Sequence, residues 1–170
     1  MFDEIIAWKN FLTPWEKNII TTDFENCKWE LTGLSQNRPD TRMFWFKDMF
    51  ECGATKNLLK EKVELHLGRL IEPTRLYANG QAHSQCGQFH TDVPPEQPGT
   101  FGSLVYYYND EWLPEYGGHI MIKEGEKVHS YWPEANSAIL FNSQWWHCPL
   151  EPTTFCRTQR VSIAFKFRVL

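Results

Sequence analysis

Several features that define common protein classes are missing from this sequence. No apolar run approaches the roughly 18 residues that a membrane-spanning helix requires. Basic residues are not in excess, because 17 Lys and Arg stand against 21 Asp and Glu, and the formal net charge is -4. A nucleic-acid-binding surface is usually marked by a basic patch or tail, and none is visible here. The sequence therefore predicts neither a membrane protein nor a nucleic-acid-binding protein.

Cysteine is present but lacks the spacing of a metal or disulfide framework. The five cysteines are scattered and no CxxC pair occurs, which argues against a zinc site. We expect mostly free thiols in a reducing compartment. The first residues also lack a basic segment followed by an apolar one, so no signal peptide is expected. These features predict a cytoplasmic protein. A monomer or a homodimer is expected.

The composition is that of one globular domain spanning residues 1–170. Apolar residues make up 42% of the chain and aromatic residues 15%, which is enough to build a substantial core. Thr13-Pro14-Trp15-Glu16 predicts a helix start with a capping box. A second helix is expected over Thr55–Ile71, with Leu59, Val63, Leu67 and Leu70 near one face. With strands at Cys27–Leu34 and Arg42–Lys47, residues 1–73 are predicted to form a helical and β support layer.

From Thr74 onward, short apolar or alternating runs are separated by Gly, Pro, Asn and Asp. The predicted strands are Arg75–Ala78, Gln88–Thr91, Ser103–Tyr108, His119–Ile122, Lys127–Trp132, Ala138–Asn142, Trp145–Leu150 and Arg160–Val169. A series of eight short strands predicts a β-sandwich or barrel, and a jelly roll has this number. The fold class is therefore mainly β (α+β), with a cupin-like jelly roll (double-stranded β-helix) over residues 74–170 and N-terminal helices packed on it. No helices alternate with these strands, which disfavours a doubly wound α/β fold.

His90-Thr91-Asp92, together with His147 far downstream, is the most informative pattern. Residues i and i+2 of a strand point to the same side, so His90 and Asp92 can converge on one ion. Two imidazoles and one carboxylate are the ligands of mononuclear non-heme Fe(II) oxygenases, and they leave three coordination positions open. An HxD pair is common by chance, so its weight depends on the surrounding sequence.

Arg160 begins an alternating segment in which Arg160, Ser162 and Ala164 share one face. If this face lines the barrel interior, a buried guanidinium there requires an anion. A guanidinium holds a carboxylate through two parallel hydrogen bonds, which suits one end of a dicarboxylate ligand. Arg157 is the alternative for this role.

The segment from about Thr74 to the C-terminus resembles the Fe(II)- and 2-oxoglutarate-dependent dioxygenases, particularly their prolyl 4-hydroxylase-like branch. The matching pieces follow the order of the family. They are Arg75-Leu-Tyr77, Gly87-Gln-Phe-His90-Thr-Asp92, Ser103-Leu-Val-Tyr-Tyr-Tyr-Asn109, Tyr116-Gly-Gly118-His-Ile-Met-Ile122, Ala138-Ile-Leu-Phe141 with Trp146-His147, and Arg160-Val-Ser-Ile-Ala-Phe. The six pieces are in register, and the segment that contains them covers somewhat more than half of the chain.

The resemblance implies a set of site residues. His90, Asp92 and His147 match the iron ligands, and Arg160 matches the residue that binds the distal carboxylate of 2-oxoglutarate. Three further positions match cosubstrate contacts: Tyr77, Tyr107 within the run Tyr106–Tyr108, and Ile120.

The implied cofactors are Fe(II), 2-oxoglutarate and O2, with ascorbate as an optional addition. The implied reaction consumes O2, releases succinate and CO2, and hydroxylates a substrate. The nearby aromatic residues Phe89, Tyr106, Tyr107, Phe141, Trp145 and Trp146 are expected to help form a dry pocket, with at most one of Trp145 and Trp146 facing it.

Two departures bear on the substrate. Prolyl hydroxylases usually have a tryptophan where this chain has Lys166, and peptide-binding members often have an arginine near the position of Thr100 and Phe101.

The leading hypothesis is hydroxylation of a prolyl residue in a peptide or protein. The alternatives are the same chemistry on another side chain, a free amino acid or a small metabolite, and a non-catalytic cupin-like binding module. A nucleic-acid demethylase is disfavoured. Ser35–Asp40 is interpreted either as a substrate lid or as a plain hairpin turn.

Overall fold

The computed structural model describes residues 4–36 and 41–170. The helices are α1 (Pro14–Asn26) and α2 (Gly53–Leu67), and a short 3-10 helix covers Pro114–Tyr116. The strands are β1 (Ile6–Trp8), β2 (Glu30–Gly33), β3 (Phe44–Asp48), β4 (Ile71–Gln81), β5 (Phe101–Tyr107), β6 (Ile120–Glu124), β7 (Lys127–Tyr131), β8 (Ala138–Asn142), β9 (His147–Pro149) and β10 (Arg160–Val169). Neither α-helix of the described residues has the length and apolar character needed to cross a bilayer.

The strands form two antiparallel sheets, as expected for the predicted mainly β class. The larger has seven strands in the order β1-β8-β5-β10-β4-β3-β2, and the smaller has three in the order β7-β6-β9. Long strand β10 lies in the middle of the larger sheet, with β4 on one side and β5 on the other. The strands from β7 to β10 alternate between the two sheets, which face each other across the site described below.

Helix α1 begins as predicted. The Thr13 hydroxyl accepts from the Glu16 amide at 3.3 Å, and the Glu16 carboxylate accepts from the Thr13 amide at 2.7 Å. Pro14 occupies the first turn, where its missing amide proton costs nothing. The capping box predicted from the sequence is therefore confirmed.

Helix α2 ends earlier than predicted. It stops at Leu67 because Gly68 adopts φ 63° as a left-handed cap, a conformation that glycine tolerates without strain. Leu59 and Val63 are buried as expected. Leu70, which was expected on the same apolar face, lies beyond the helix and is 66% exposed, so that prediction was wrong.

The N-terminal segment does more than cover the β-core. Strand β1 pairs with β8 at one end of the larger sheet, while β3 pairs with β4 and β2 with β3 at the other. Residues before 73 therefore extend the sheet at both edges and add the two helices to its outer face. The division at residue 73 remains a prediction, and β4 itself begins at Ile71.

The predicted strand Gln88–Thr91 is not formed. Only an isolated bridge links His90 to His147, with both amide-to-carbonyl hydrogen bonds at 2.9 Å. The Asp92 amide then turns to the Ser143 carbonyl at 2.9 Å, so the pairing does not continue. The predicted strand Trp145–Leu150 is likewise reduced to His147–Pro149.

The two faces of β10 have different roles. Ile163 and Phe165 point to the outer face and join a core with Ile20, Leu59 and Leu76, which ties the helices to the sheet. The alternate positions from Arg160 to Lys166 point to the inner face. All five cysteines are free, in agreement with the predicted thiols.

Candidate metal and cosubstrate site

A cavity of about 380 Å³ lies between the two sheets. Its floor is the inner face of β4, β10 and β5, where strand register places side chains in rows. The rows are Gln81 with Arg160, Asn79 with Ser162 and Tyr107, Tyr77 with Ala164 and Val105, and Arg75 with Lys166 and Ser103. Arg160 therefore stands at one end of the cavity and Lys166 at the other.

His90, Asp92 and His147 come together at the Lys166 end. Their ligand atoms all lie within 4.8 Å of one another. Asp92 Oδ1 is 3.7 Å from His90 Nε2 and 3.6 Å from His147 Nε2. The single bridge between His90 and His147 brings the two imidazoles side by side, with ring centroids 4.3 Å apart.

Both imidazoles are oriented by backbone carbonyls. His90 Nδ1 lies 2.8 Å from the Gln88 oxygen, and His147 Nδ1 lies 3.0 Å from the Trp145 oxygen. A carbonyl can only accept, so each Nδ1 carries a proton, and Nε2 is the ring nitrogen that faces Asp92. Burial also lowers the pKa of His90 to about 4, which keeps this imidazole neutral. Two imidazole nitrogens and a carboxylate oxygen aimed at one point fit Fe(II).

Asp92 is held as a buried carboxylate. Ser103 Oγ donates to its Oδ2 at 2.6 Å, and the Lys166 ammonium donates to its Oδ1. Burial alone would raise the pKa of Asp92, but Lys166 and His147 hold this pKa well below its ordinary value. Burial alone would lower the pKa of Lys166, but Tyr77 and Asp92 raise it. Asp92 and Lys166 therefore form a charged pair.

Arg160 is a buried guanidinium whose partners are neutral. It is 2% exposed and donates to the Gly118 and Leu150 carbonyls and to the Gln81 side chain. Its Nε has no hydrogen-bond partner among the described residues. Gly118 adopts φ 74°, in the left-handed region that glycine tolerates best, and this turn brings its carbonyl to Arg160. A buried cation without a counter-ion is costly, so this end of the cavity suits an anion.

The three predicted cosubstrate contacts all line the cavity. Tyr107 is 2% exposed and faces the cavity, whereas neighbouring Tyr106 joins the core on the opposite face of the sheet. Burial raises the pKa of Tyr107 to about 12, so its hydroxyl remains protonated. Ile120 packs with Tyr107 in a small apolar cluster. Tyr77 lies one row from Lys166, so it stands nearer the metal ligands than Arg160. Their roles toward the cosubstrate remain predictions.

Most of the aromatic lining differs from the prediction. Of the six aromatic residues expected near the pocket, only Tyr107 lines it. Trp146 is 48% exposed and Trp145 packs beside the small apolar cluster, consistent with the expectation that at most one of them faces the site. Phe44 and Phe46 of β3 supply the aromatic wall instead. These residues are distant in sequence and could not have been found from the motif.

Other predicted residues fall in different places. Arg157, the alternative to Arg160, is exposed on a separate surface depression. Ser35 lies at the cavity, but residues 37–40 of the predicted loop Ser35–Asp40 lie outside the described residues, so its two interpretations remain open. Lys166 was interpreted only as a departure at a substrate-holding position. The alternation from Arg160 could have placed it on the inner face, three steps along β10.

This fold and this site define a non-heme metal oxygenase with a jelly-roll core. The sequence model of the 2OG-Fe(II) oxygenase superfamily matches residues 75–168, and the chain belongs to that superfamily. The family implies Fe(II), 2-oxoglutarate and O2 as its cofactors. The resemblance predicted from the six sequence pieces is thereby confirmed. A search among curated proteins found no match.

Solved structures show the same fold at low sequence identity. A prolyl hydroxylase from Trichoplax adhaerens, in complex with a hypoxia inducible factor peptide fragment, has a TM-score of 0.74 at 15% identity, covering 98% of this chain and 84% of that one. A Pseudomonas putida prolyl-4-hydroxylase has a TM-score of 0.66 at 18% identity, covering 96% and 91%. The α-ketoglutarate-dependent epimerase SnoN from nogalamycin biosynthesis has a TM-score of 0.71 at 11% identity, covering 97% and 77%. These likenesses confirm the double-stranded β-helix.

Proposed function

We propose that this protein is an Fe(II)- and 2-oxoglutarate-dependent dioxygenase that hydroxylates a prolyl residue in a peptide or protein. The observation that carries the oxygenase assignment is the pairing of two sites in one cavity. His90, Asp92 and His147 converge near one end. The buried guanidinium of Arg160, whose partners are all neutral, stands at the other.

Each residue then has a role set by its position. His90, Asp92 and His147 hold Fe(II), which, when bound, supplies the activation of O2 and the oxidation of substrate. Arg160 binds the distal carboxylate of 2-oxoglutarate through a charge-assisted pair. Tyr107 and Ile120 enclose the cosubstrate and exclude water near Arg160. Ser103 orients Asp92 through its 2.6 Å hydrogen bond. Ascorbate is an optional addition, and a cytoplasmic monomer or homodimer remains our expectation.

Two kinds of observation bear on the substrate. Prolyl hydroxylases, one of them solved with a peptide, are among the proteins that share this fold, and they support a prolyl substrate. The fold is also shared by an epimerase, so the fold itself does not select the target. The second candidate is the same chemistry on a small molecule, and it is favoured by Lys166, which stands where prolyl hydroxylases usually have a tryptophan and is paired with Asp92. The third is a non-catalytic cupin-like module, and the anaerobic titration described next distinguishes it from an active oxygenase.

The oxygenase assignment is tested by anaerobic titration with Fe(II) and then 2-oxoglutarate. A chelating keto acid on such a site gives a visible charge-transfer band, and O2 should then yield succinate. Absence of both the band and succinate supports the non-catalytic module. The prolyl assignment is tested separately, by mass spectrometry of proline-containing peptides and free amino acids after turnover. A gain of one oxygen on a peptide prolyl residue supports it, and a gain on free amino acids alone overturns it.

A further inference from the structure

Two cysteines lie side by side where the two helices meet, away from the cavity. Cys27 caps the C-terminal end of α1, and Cys52 caps the N-terminal end of α2. Their Sγ atoms are 3.3 Å apart, and they lie 3.4 and 3.9 Å from the Asp23 carbonyl oxygen. The Asp23 carboxylate accepts from the Thr55 amide at 2.8 Å, which fixes the two helix ends relative to each other. A disulfide needs a sulfur separation of about 2 Å, so a small movement of the two side chains joins them.

The two thiols have different surroundings. The buried ammonium of Lys47 donates to the Phe24 carbonyl at 2.8 Å and lies 3.8 Å from the centre of the Phe24 ring. Burial lowers the pKa of Lys47, and a negative charge on Cys27 opposes that change, so the ammonium and this sulfur are neighbours. A cation beside a cysteine favours the thiolate, which is the nucleophilic form. Burial raises the pKa of Cys52 to about 12, so this thiol keeps its proton. Cys27 is therefore the nucleophile of the pair.

The cysteine pair flanks the two strands that wall the cavity. Strand β2 begins just after Cys27, and β3 ends just before Cys52. The two strands pair through Gly33 and Phe44, and both of these residues line the cavity. Strand β2 is the outermost strand of the larger sheet, so β3 is its one neighbour there. A covalent link between Cys27 and Cys52 ties the far ends of β2 and β3 together and restricts their separation.

We propose that Cys27 and Cys52 form a reversible disulfide that holds β2 and β3 together at the cavity wall. The oxidant is a low-molecular-weight disulfide such as glutathione disulfide. The Cys27 thiolate attacks one of its sulfurs, which forms a mixed disulfide and expels one glutathione. Cys52 then loses its proton and attacks the Cys27 sulfur, which expels the second glutathione. Two electrons pass from the cysteines to glutathione disulfide, and the two thiol protons end on the two glutathione molecules. Disulfides of reducing compartments are usually transient and redox-sensing. The step involves no metal, so it is independent of the oxygenase proposal.

The experiment treats the reduced protein with glutathione disulfide, blocks the remaining thiols by alkylation and maps the products by mass spectrometry. We expect a linked pair of peptides that contains Cys27 and Cys52, and excess reduced glutathione should remove the link. Cys52→Ser should accumulate glutathione on Cys27, because the second thiol is missing. Cys27→Ser should acquire at least about 10-fold less glutathione on Cys52, which keeps its proton. The matched control Cys156→Ser removes another half-buried thiol and should still form the disulfide.

The effect on the strands is measured by hydrogen exchange of the oxidised and reduced wild-type protein, which needs no variant. Amides of β2 and β3 should exchange at least about 10-fold more slowly after oxidation. Those of β7, at the edge of the smaller sheet, should not change. The proposal is overturned if no link between Cys27 and Cys52 forms, if reduced glutathione does not reverse it, or if exchange in β2 and β3 is unaltered. Equal glutathione addition in Cys27→Ser and Cys52→Ser overturns the assignment of Cys27 as the nucleophile.

Discussion

The Lys166 ammonium contacts Asp92 Oδ1, the same oxygen that lies 3.7 Å from His90 Nε2 and 3.6 Å from His147 Nε2. The Lys166 side chain, which neutralises Asp92, therefore approaches the same carboxylate oxygen as the two imidazoles. A buried carboxylate stripped of its cation is strongly destabilising, whereas a bound divalent cation can replace the lost charge. Lys166 therefore matters most to the metal-free protein.

Lys166→Met should lower the free energy of unfolding of the metal-free protein by about 3 kcal/mol, because it leaves Asp92 buried without its cation. Urea unfolding with and without a divalent metal measures this effect, and the metal should restore part of the loss. Lys123→Met, at an exposed position of β6, is the control and should change little. Equal effects of the two substitutions on the free energy of unfolding would show that the ion pair between Lys166 and Asp92 stabilises the protein no more than an exposed lysine does.

Asp92→Ala should abolish Fe(II) binding, because it removes the carboxylate toward which both Nε2 atoms point. Metal content after dialysis and the anaerobic charge-transfer band are the two measurements. The control is Asp110→Ala, since the side chain of Asp110 is 90% exposed and pairs only with Lys17 among the described ionic contacts. Retention of stoichiometric iron in Asp92→Ala would remove Asp92 from the ligand set.

Arg160→Gln should raise the 2-oxoglutarate concentration needed for half-maximal turnover by about 10- to 100-fold, the effect of losing a hydrogen-bonded charge. Fe(II) binding should be spared, because Arg160 stands at the opposite end of the cavity from Asp92. Arg157→Gln serves as the control. A normal 2-oxoglutarate requirement in Arg160→Gln and a raised one in Arg157→Gln would reverse the assignment of the two arginines.

The metal-free protein should lose stability as the pH falls from about 6.5 to about 4. His90 has a folded pKa of about 4 because of its burial, against an ordinary value of 6.5. In that window the unfolded chain binds a proton that the folded protein does not, so stability falls with pH, by up to about 3 kcal/mol. Asp92 adds to the loss only at lower pH, below its ordinary value of 3.8.

Urea unfolding across this pH range measures the slope. His90→Gln should flatten it, whereas His66→Gln, at an exposed position on α2, should leave it unchanged. An unaltered slope in His90→Gln would mean that another group controls acid stability.

The sequence predicted features that depend on short-range geometry. The capping box needs only the four residues from Thr13 to Glu16, and the alternation of β10 separates the environments of Arg160 and Ile163 without knowledge of any partner strand. Order along the chain was also sufficient to connect His90, Asp92 and His147, which the structure brings within 4.8 Å.

Most of the predictions that failed depended on pairing between segments that are distant in sequence. Nothing local to Phe44 or Phe46 shows that β3 will reach the cavity, because that depends on its pairing with β4. The strand predicted at Gln88–Thr91 fails because apolar spacing does not reveal that its only β-bridge partner among the described residues is His147. Gly68 did carry a local signal for the end of α2, and the apolar pattern that continues to Leu70 obscured it.

Strand β10 contributes to two environments at once, with Arg160, Ser162 and Lys166 on the inner face and Ile163 and Phe165 in the core. A single-residue insertion or deletion between Arg160 and Lys166 would exchange these faces beyond that point. It would put a lysine or serine among the helices and a phenylalanine beside Asp92. Tolerated changes of length are therefore expected in loops such as 93–99, while the strand itself can change only by substitution.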